Sequence, residues 1–165
     1  MRRKNFKLSL AIALLVLFTQ LGVTYPALAL LREHHQSSGI LRYHAQHSIQ
    51  DREQRAWQII LFPEDENAET KYYLRLVGFP DLVEIRHPQP LEIITAQGEV
   101  LTAPDVFAEA TPASNVGQYE LTGILPLLPS RGSLRLVVST IETEKDVSLK
   151  LTPSILSEWQ ILIGD

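Results

Sequence analysis

From Ile40 the chain alternates apolar and polar side chains. Leu41, Tyr43, Ala45, His47 and Ile49 fall on one face of an extended chain, and Arg42, His44, Gln46 and Ser48 on the other. Successive side chains of a strand point to opposite faces, so this alternation predicts a half-buried β-strand. Gln50 to Gln54 is polar and turns the chain. Trp57, Ile59 and Leu61 then form the inner face of a second strand, paired with the first as a hairpin. Pro63 is expected to end that strand and to leave residues 64–69 as an acidic loop.

Residues 71–105 are the most clearly patterned stretch. Tyr72, Leu74 and Leu76 share a face, with Tyr73 and Arg75 opposite. Gly78-Phe79-Pro80-Asp81 breaks the strand, because proline has no amide hydrogen to give to a ladder. Val83 and Ile85 alternate with Glu84 and Arg86, and Pro88 and Pro90 bend the chain again. Leu91, Ile93 and Thr95 predict another strand. Gln97-Gly98 follows as a two-residue hairpin turn, and Val100–Thr102 as the returning strand, closed by Ala103-Pro104-Asp105.

Residues 107–117 are rich in Ala, Pro, Thr, Ser and Asn and read as a loop. Gln118–Leu121 fits a strand or the entry to a short helix, and the proline-broken run Ile124–Pro129 fits a turn or two of helix. Leu134, Leu136 and Val138, then Val147, Leu149 and Leu151, give the cleanest hairpin. Thr152-Pro153 starts a helix, with a hydroxyl at the cap and proline at the first helical position. Ile155, Leu156, Trp159 and Leu162 form its apolar stripe. About eight short strands with one terminal helix predict a mainly β fold, an antiparallel sandwich or barrel.

The first 29 residues follow a different rule. Arg2, Arg3, Lys4 and Lys7 precede an apolar run over Leu8–Leu21, and Ala27-Leu28-Ala29 supplies a small-x-small cleavage site. This is the pattern of a cleavable export signal, with a run shorter than the ~20 residues a membrane span needs. Arg2-Arg3 raises the twin-arginine route. Ordinary export is preferred, because the phenylalanine stands one place later than that motif favours. Residues 30–39 have no clean period and read as a flexible lead-in to a single domain over 40–165.

Four of the 15 basic residues and none of the 19 acidic ones lie in that leader, so beyond it the formal charge moves from −4 to −8. So acidic a domain suits neither nucleic acid nor an anionic lipid surface. Cysteine is absent, which excludes disulfides, thiolate metal sites and a cysteine nucleophile.

The pieces Leu74-Arg-Leu-Val-Gly-Phe-Pro80, Val83-Glu-Ile85, Leu101-Thr-Ala-Pro-Asp-Val106, Asn115-Val-Gly-Gln-Tyr119 and Glu158-Trp-Gln160 resemble a cyanobacterial family of small exported domains of unknown function. The resemblance spans most of the mature chain. It implies the periplasm or thylakoid lumen and carries no activity or functional residue across.

Candidate chemistry is sparse. His34, His35 and His44 would meet around a metal only if the lead-in folded back. On a strand, His44 and His47 fall on opposite faces, so no metal is expected. Asp81 and Asp105 sit in proline-containing turns, with Glu84 near the first. Paired carboxylates suit acid–base work, yet turn aspartates ordinarily bond their own backbone. Ser114 and Ser130 lie in loops without a Gly-x-Ser-x-Gly elbow. Residues 64–69 lack the spacing and glycine of a calcium loop.

No cofactor is expected, and no catalytic residue is assigned. The candidate interaction surface is the set of loops holding Gly78, Phe79, Pro80, Asp81, Pro104, Asp105, Phe107, Asn115, Gly117 and Tyr119. The expected role is a non-enzymatic accessory domain that meets a membrane-associated or lumenal protein. The rival readings are a barrel holding a lipid or pigment and, behind it, a hydrolase.

Overall fold

The computed structural model describes residues 32–35, 41–129, 131–141 and 146–164. The stretch read as an export signal, the rest of the expected lead-in and residues 142–145 lie outside them.

Strand β1 (Arg32–His35) falls inside the expected lead-in and pairs antiparallel with the first part of β2 (Leu41–Gln50). β2 forms a hairpin with β3 (Ala56–Glu66), and β3 with β4 (Glu69–Val77). The chain then crosses to a second sheet, where β5 (Leu91–Ile94) pairs with β6 (Val100–Ala103). It returns as β7 (Val116–Glu120) beside β4, and crosses again to β8 (Leu134–Val138), which lies between β5 and β9 (Val147–Leu151). The result is two four-stranded antiparallel sheets, β2-β3-β4-β7 and β6-β5-β8-β9, with β1 along the β2 edge. No barrel closes, so the barrel alternative gives way to the sandwich.

The alternation seen in the sequence explains the core. Trp57, Ile59 and Leu61 of β3 and Leu74 and Leu76 of β4 turn inward. They meet Leu91 and Ile93 of β5, Leu134, Leu136 and Val138 of β8, and Val147, Leu149 and Leu151 of β9 in one cluster. Helix α1 (Pro153–Gly164) adds Ile155, Leu156, Trp159 and Leu162, the predicted stripe, and packs against β2. At that contact His47 Nε2 lies 3.4 Å from Glu158 Oε2. Burial holds the imidazole below its ordinary pKa and raises the carboxyl above its own.

Four local expectations change. First, Pro63 does not end β3. The Tyr72 amide donates to Thr122 Oγ1 and its carbonyl accepts from the Leu121 amide, so both point away from β3. Pro63 and Tyr72 are therefore a non-hydrogen-bonded pair, and the missing proline amide leaves no gap on that side. Second, residues 64–69 are not an open acidic loop. They are the tip of the β3–β4 hairpin, turned at Asn67 and Ala68, both with positive φ (51° and 69°), as a type I′ turn requires. Third, the β5–β6 turn has three residues, not two. Thr95 receives the Gly98 amide at 3.0 Å and donates its own to Glu99 at 2.9 Å, with Gly98 at φ 87°. Fourth, the alternating Val83–Ile85 is not a strand but part of a crossover, held by a bridge from Ile85 to Thr140 and by the bond of the Ile85 amide to the Ser114 carbonyl. Residues 118–120 resolve as strand, and Leu125–Leu127 as a single 3-10 turn.

The β2–β3 turn is built on one buried carboxylate. Asp51 accepts the amides of Glu53 and Arg55 on Oδ1 (2.9 Å each), and Arg55 Nε (2.7 Å) and Trp57 Nε1 (3.1 Å) on Oδ2. Burial alone would raise its pKa. The bonds from Trp57 and Arg55 outweigh that and hold the carboxyl below its usual value. A carboxyl with a depressed folded pKa contributes stability above its unfolded pKa and loses it as the pH falls through the folded one. Asp51→Asn is therefore expected to cost about 1–3 kcal/mol at neutral pH. Below pH ~4 its urea midpoint should converge on that of the native chain. A constant gap between the two midpoints from neutral to acid pH would contradict this.

Candidate functional site: the loop cluster along β7

Two of the loops marked in the sequence, at Gly78–Asp81 and at Pro104–Phe107, meet along the third marked segment, which is not a loop: Val116–Tyr119 lies in strand β7. At its start, Gly78 and Asn115 are joined twice: the Gly78 amide donates to the Asn115 carbonyl (2.9 Å), and Asn115 Nδ2 donates to the Gly78 carbonyl (2.8 Å). Further along, the Val106 amide donates to the Gln118 carbonyl and the Glu120 amide to that of Pro104, with a bridge from Asp105 to Tyr119. The crossovers on either side of the second sheet's β5–β6 hairpin are thus both tied to the first sheet.

Glycine is required at two of these points. A Cβ on Gly78 would stand 2.9 Å from Val83 Cβ and 3.3 Å from the Trp57 ring. One on Gly117 would stand 2.8 Å from the Tyr119 hydroxyl, because the tyrosine ring folds back over that glycine. Tyr119 is buried, and its burial, reinforced by the Asp105 carboxylate, pushes the phenol well above its ordinary range.

Asp105 is the hub. Oδ1 accepts the Phe107 amide at 2.9 Å, the turn bond expected of an aspartate in this setting. Oδ2 lies 2.6 Å from His87 Nδ1 and accepts the Gln89 amide at 3.3 Å. His87 precedes a cis peptide to Pro88. Both side chains are largely buried, at 11% and 4% exposure. An aspartate oriented against a histidine is half of a nucleophilic relay, which needs the other ring nitrogen facing a hydroxyl. Here His87 Nε2 faces the Val116 carbonyl at 3.3 Å, which also accepts from Thr111 Oγ1 at 2.9 Å. With both nitrogens directed at acceptors inside the protein, none is offered to a substrate. The pair joins the first crossover to the second and to β7.

The remaining candidates separate. Phe79, Pro80 and Asp81 are exposed, with Asp81 at φ 63°. Asp81 makes no hydrogen bond or ion pair among the described residues, whereas Asp105 pairs with His87. Ser114 is exposed and lends its carbonyl to the Ile85 amide. Ser130 lies outside the described residues. Pro104 is exposed, Phe107 half-buried. In the register of β1 with β2, Arg32 stands opposite His44 and His34 opposite Arg42; no group of three or more metal-ligating residues forms among the described residues. His87 was missed, and no local signal marks it. A lone histidine before a proline gains its meaning only when residue 105 folds beside it.

Fold and site together define a disulfide-free β-sandwich domain whose polar loop cluster fastens two crossovers. The chain belongs to the family described as "Protein of unknown function (DUF3122)", whose model matches residues 29–162. No curated protein and no solved structure matches it.

Gly78→Ala tests the tightness of this cluster. The new methyl meets Val83 near its backbone, so the change should cost about 1–3 kcal/mol in urea unfolding. Ala at exposed Gly123, where a Cβ meets nothing within 4 Å, should cost far less. Equal costs at the two positions would show that the cluster is loose.

Proposed function

We propose that this is a non-enzymatic accessory domain, exported to a periplasm or thylakoid lumen, that docks a membrane-associated or lumenal protein through the Gly78–Leu82 loop. The observation carrying it is that two large apolar side chains, Phe79 and Leu82, stand 55% and 51% exposed on a loop whose base is locked. Gly78 is fixed to Asn115, and the Leu82 amide donates to the Phe79 carbonyl at 3.2 Å. Apolar side chains presented by an already ordered backbone lose little entropy on binding, which suits them to anchor a partner. Export is supported by the basic leader, its apolar run and Ala27-Leu28-Ala29. A family match that begins at residue 29 agrees with cleavage there. The non-enzymatic part rests on the closed His87–Asp105 pair, which also weighs against the hydrolase reading.

A photo-crosslinking side chain at position 79, in cells that make the protein, is expected to yield one adduct of defined mass. The same probe at exposed Glu92, on the other sheet, should give none. Leu82→Ser should abolish the adduct while leaving the circular dichroism unchanged. No adduct at position 79, or the same adduct from position 92, would overturn the assignment.

A further inference from the structure

At one end of the second sheet, the β2–β3 turn, the end of β5 and the facing ends of β8 and β9 enclose a groove of about 420 Å³. None of its lining residues belongs to the loop cluster along β7. Three cations line it: Arg52, Arg135 and Lys150. Arg135 stands directly opposite Lys150 in the β8–β9 register, a like-charge pairing that by itself destabilises a sheet. Among the described residues none of the three makes a salt bridge, although the chain as a whole is acidic. One carboxylate lines the groove, that of Asp51, and its oxygens are already taken by Arg55, Trp57 and two backbone amides. Ser133 and Ser148 add hydroxyls, and Ile94 and Leu134 add apolar wall.

We infer that this groove binds an organic phosphate, with the dianion between Arg135, Lys150 and Arg52 and the organic part toward Ile94. Guanidinium and ammonium groups bond phosphate oxygens with charge assistance, and the serine hydroxyls supply further donors. A volume of this size lies in the range of small-ligand sites, larger than a bare phosphate fills. Bound phosphate also places a counter-charge beside the Arg135–Lys150 pair. The phosphate can arrive on a soluble molecule or on a lipid headgroup, and the chemistry is the same for both.

The test follows amide resonances of the full chain by NMR while three probes are added separately: inorganic phosphate, glycerol phosphate, and phosphatidylcholine vesicles with and without phosphatidic acid. Saturable shifts at Arg52, Ser133–Arg135 and Ser148–Lys150 with glycerol phosphate, weaker with inorganic phosphate and reduced by salt, are expected for a soluble ligand. The same signals responding only to vesicles containing phosphatidic acid would assign the phosphate to a headgroup. Arg135→Gln with Lys150→Gln should weaken binding by about tenfold or more. The double variant should unfold at the same or higher urea concentration, because the like-charge pair is gone. No saturable response to any probe, or undiminished binding by the folded double variant, would overturn the inference.

Discussion

The structure depends on one contact that joins segments far apart in sequence, the 2.6 Å pairing of the Asp105 carboxylate with His87. Two sheets joined by crossovers can slide or splay unless the crossovers are fastened. Asp105 reaches the first crossover through His87 and Gln89, and its own turn through Phe107. Its neighbours Pro104 and Val106 bond along β7. Because the pair is largely buried, removing one partner takes from the other its shortest bond in a poorly solvated site, which costs more than an exposed bond would. The same enclosure that makes it a strong fastening makes it a poor catalyst, since Nε2 is turned to the Val116 carbonyl.

That fastening connects packing to the proposed role. The base of the 78–82 loop is set by Asn115, immediately before β7, and β7 is set by its bonds to the residues flanking Asp105. The exposed Phe79 and Leu82 are therefore displayed from a scaffold ordered in advance. The opposite logic governs the phosphate groove. There the local charges are unbalanced, with Arg135 opposite Lys150 and no salt bridge to either among the described residues.

Much of the fold was legible in the residues because burial on one face imposes a period of two. Trp57, Ile59 and Leu61, Leu91 and Ile93, and Leu134, Leu136 and Val138 all turn inward as their spacing implies. The helix stripe was legible for the same reason at its own period. What failed was punctuation. Pro63 reads as a stop, but whether a missing amide matters depends on which way the paired Tyr72 points, a property of the neighbouring strand. Ala68 gives no hint of a left-handed turn, because alanine takes that conformation only when a hairpin imposes it. The loops were recognisable by their Gly, Pro and Asp residues. Their convergence on β7 was not, because strand order across two sheets is set by long-range pairing. His87 is the clearest case: its partner is 18 positions away across a hairpin.

The most direct test is a double-mutant cycle between residues 87 and 105, using His87→Gln, Asp105→Asn and the double variant in urea unfolding at neutral pH. If the two side chains form one fastening, each single change carries most of the loss. The double variant then loses less than the sum, with a coupling of about 1–3 kcal/mol. Losses that simply add, or single variants as stable as the native chain, would show that the crossovers are held by other means.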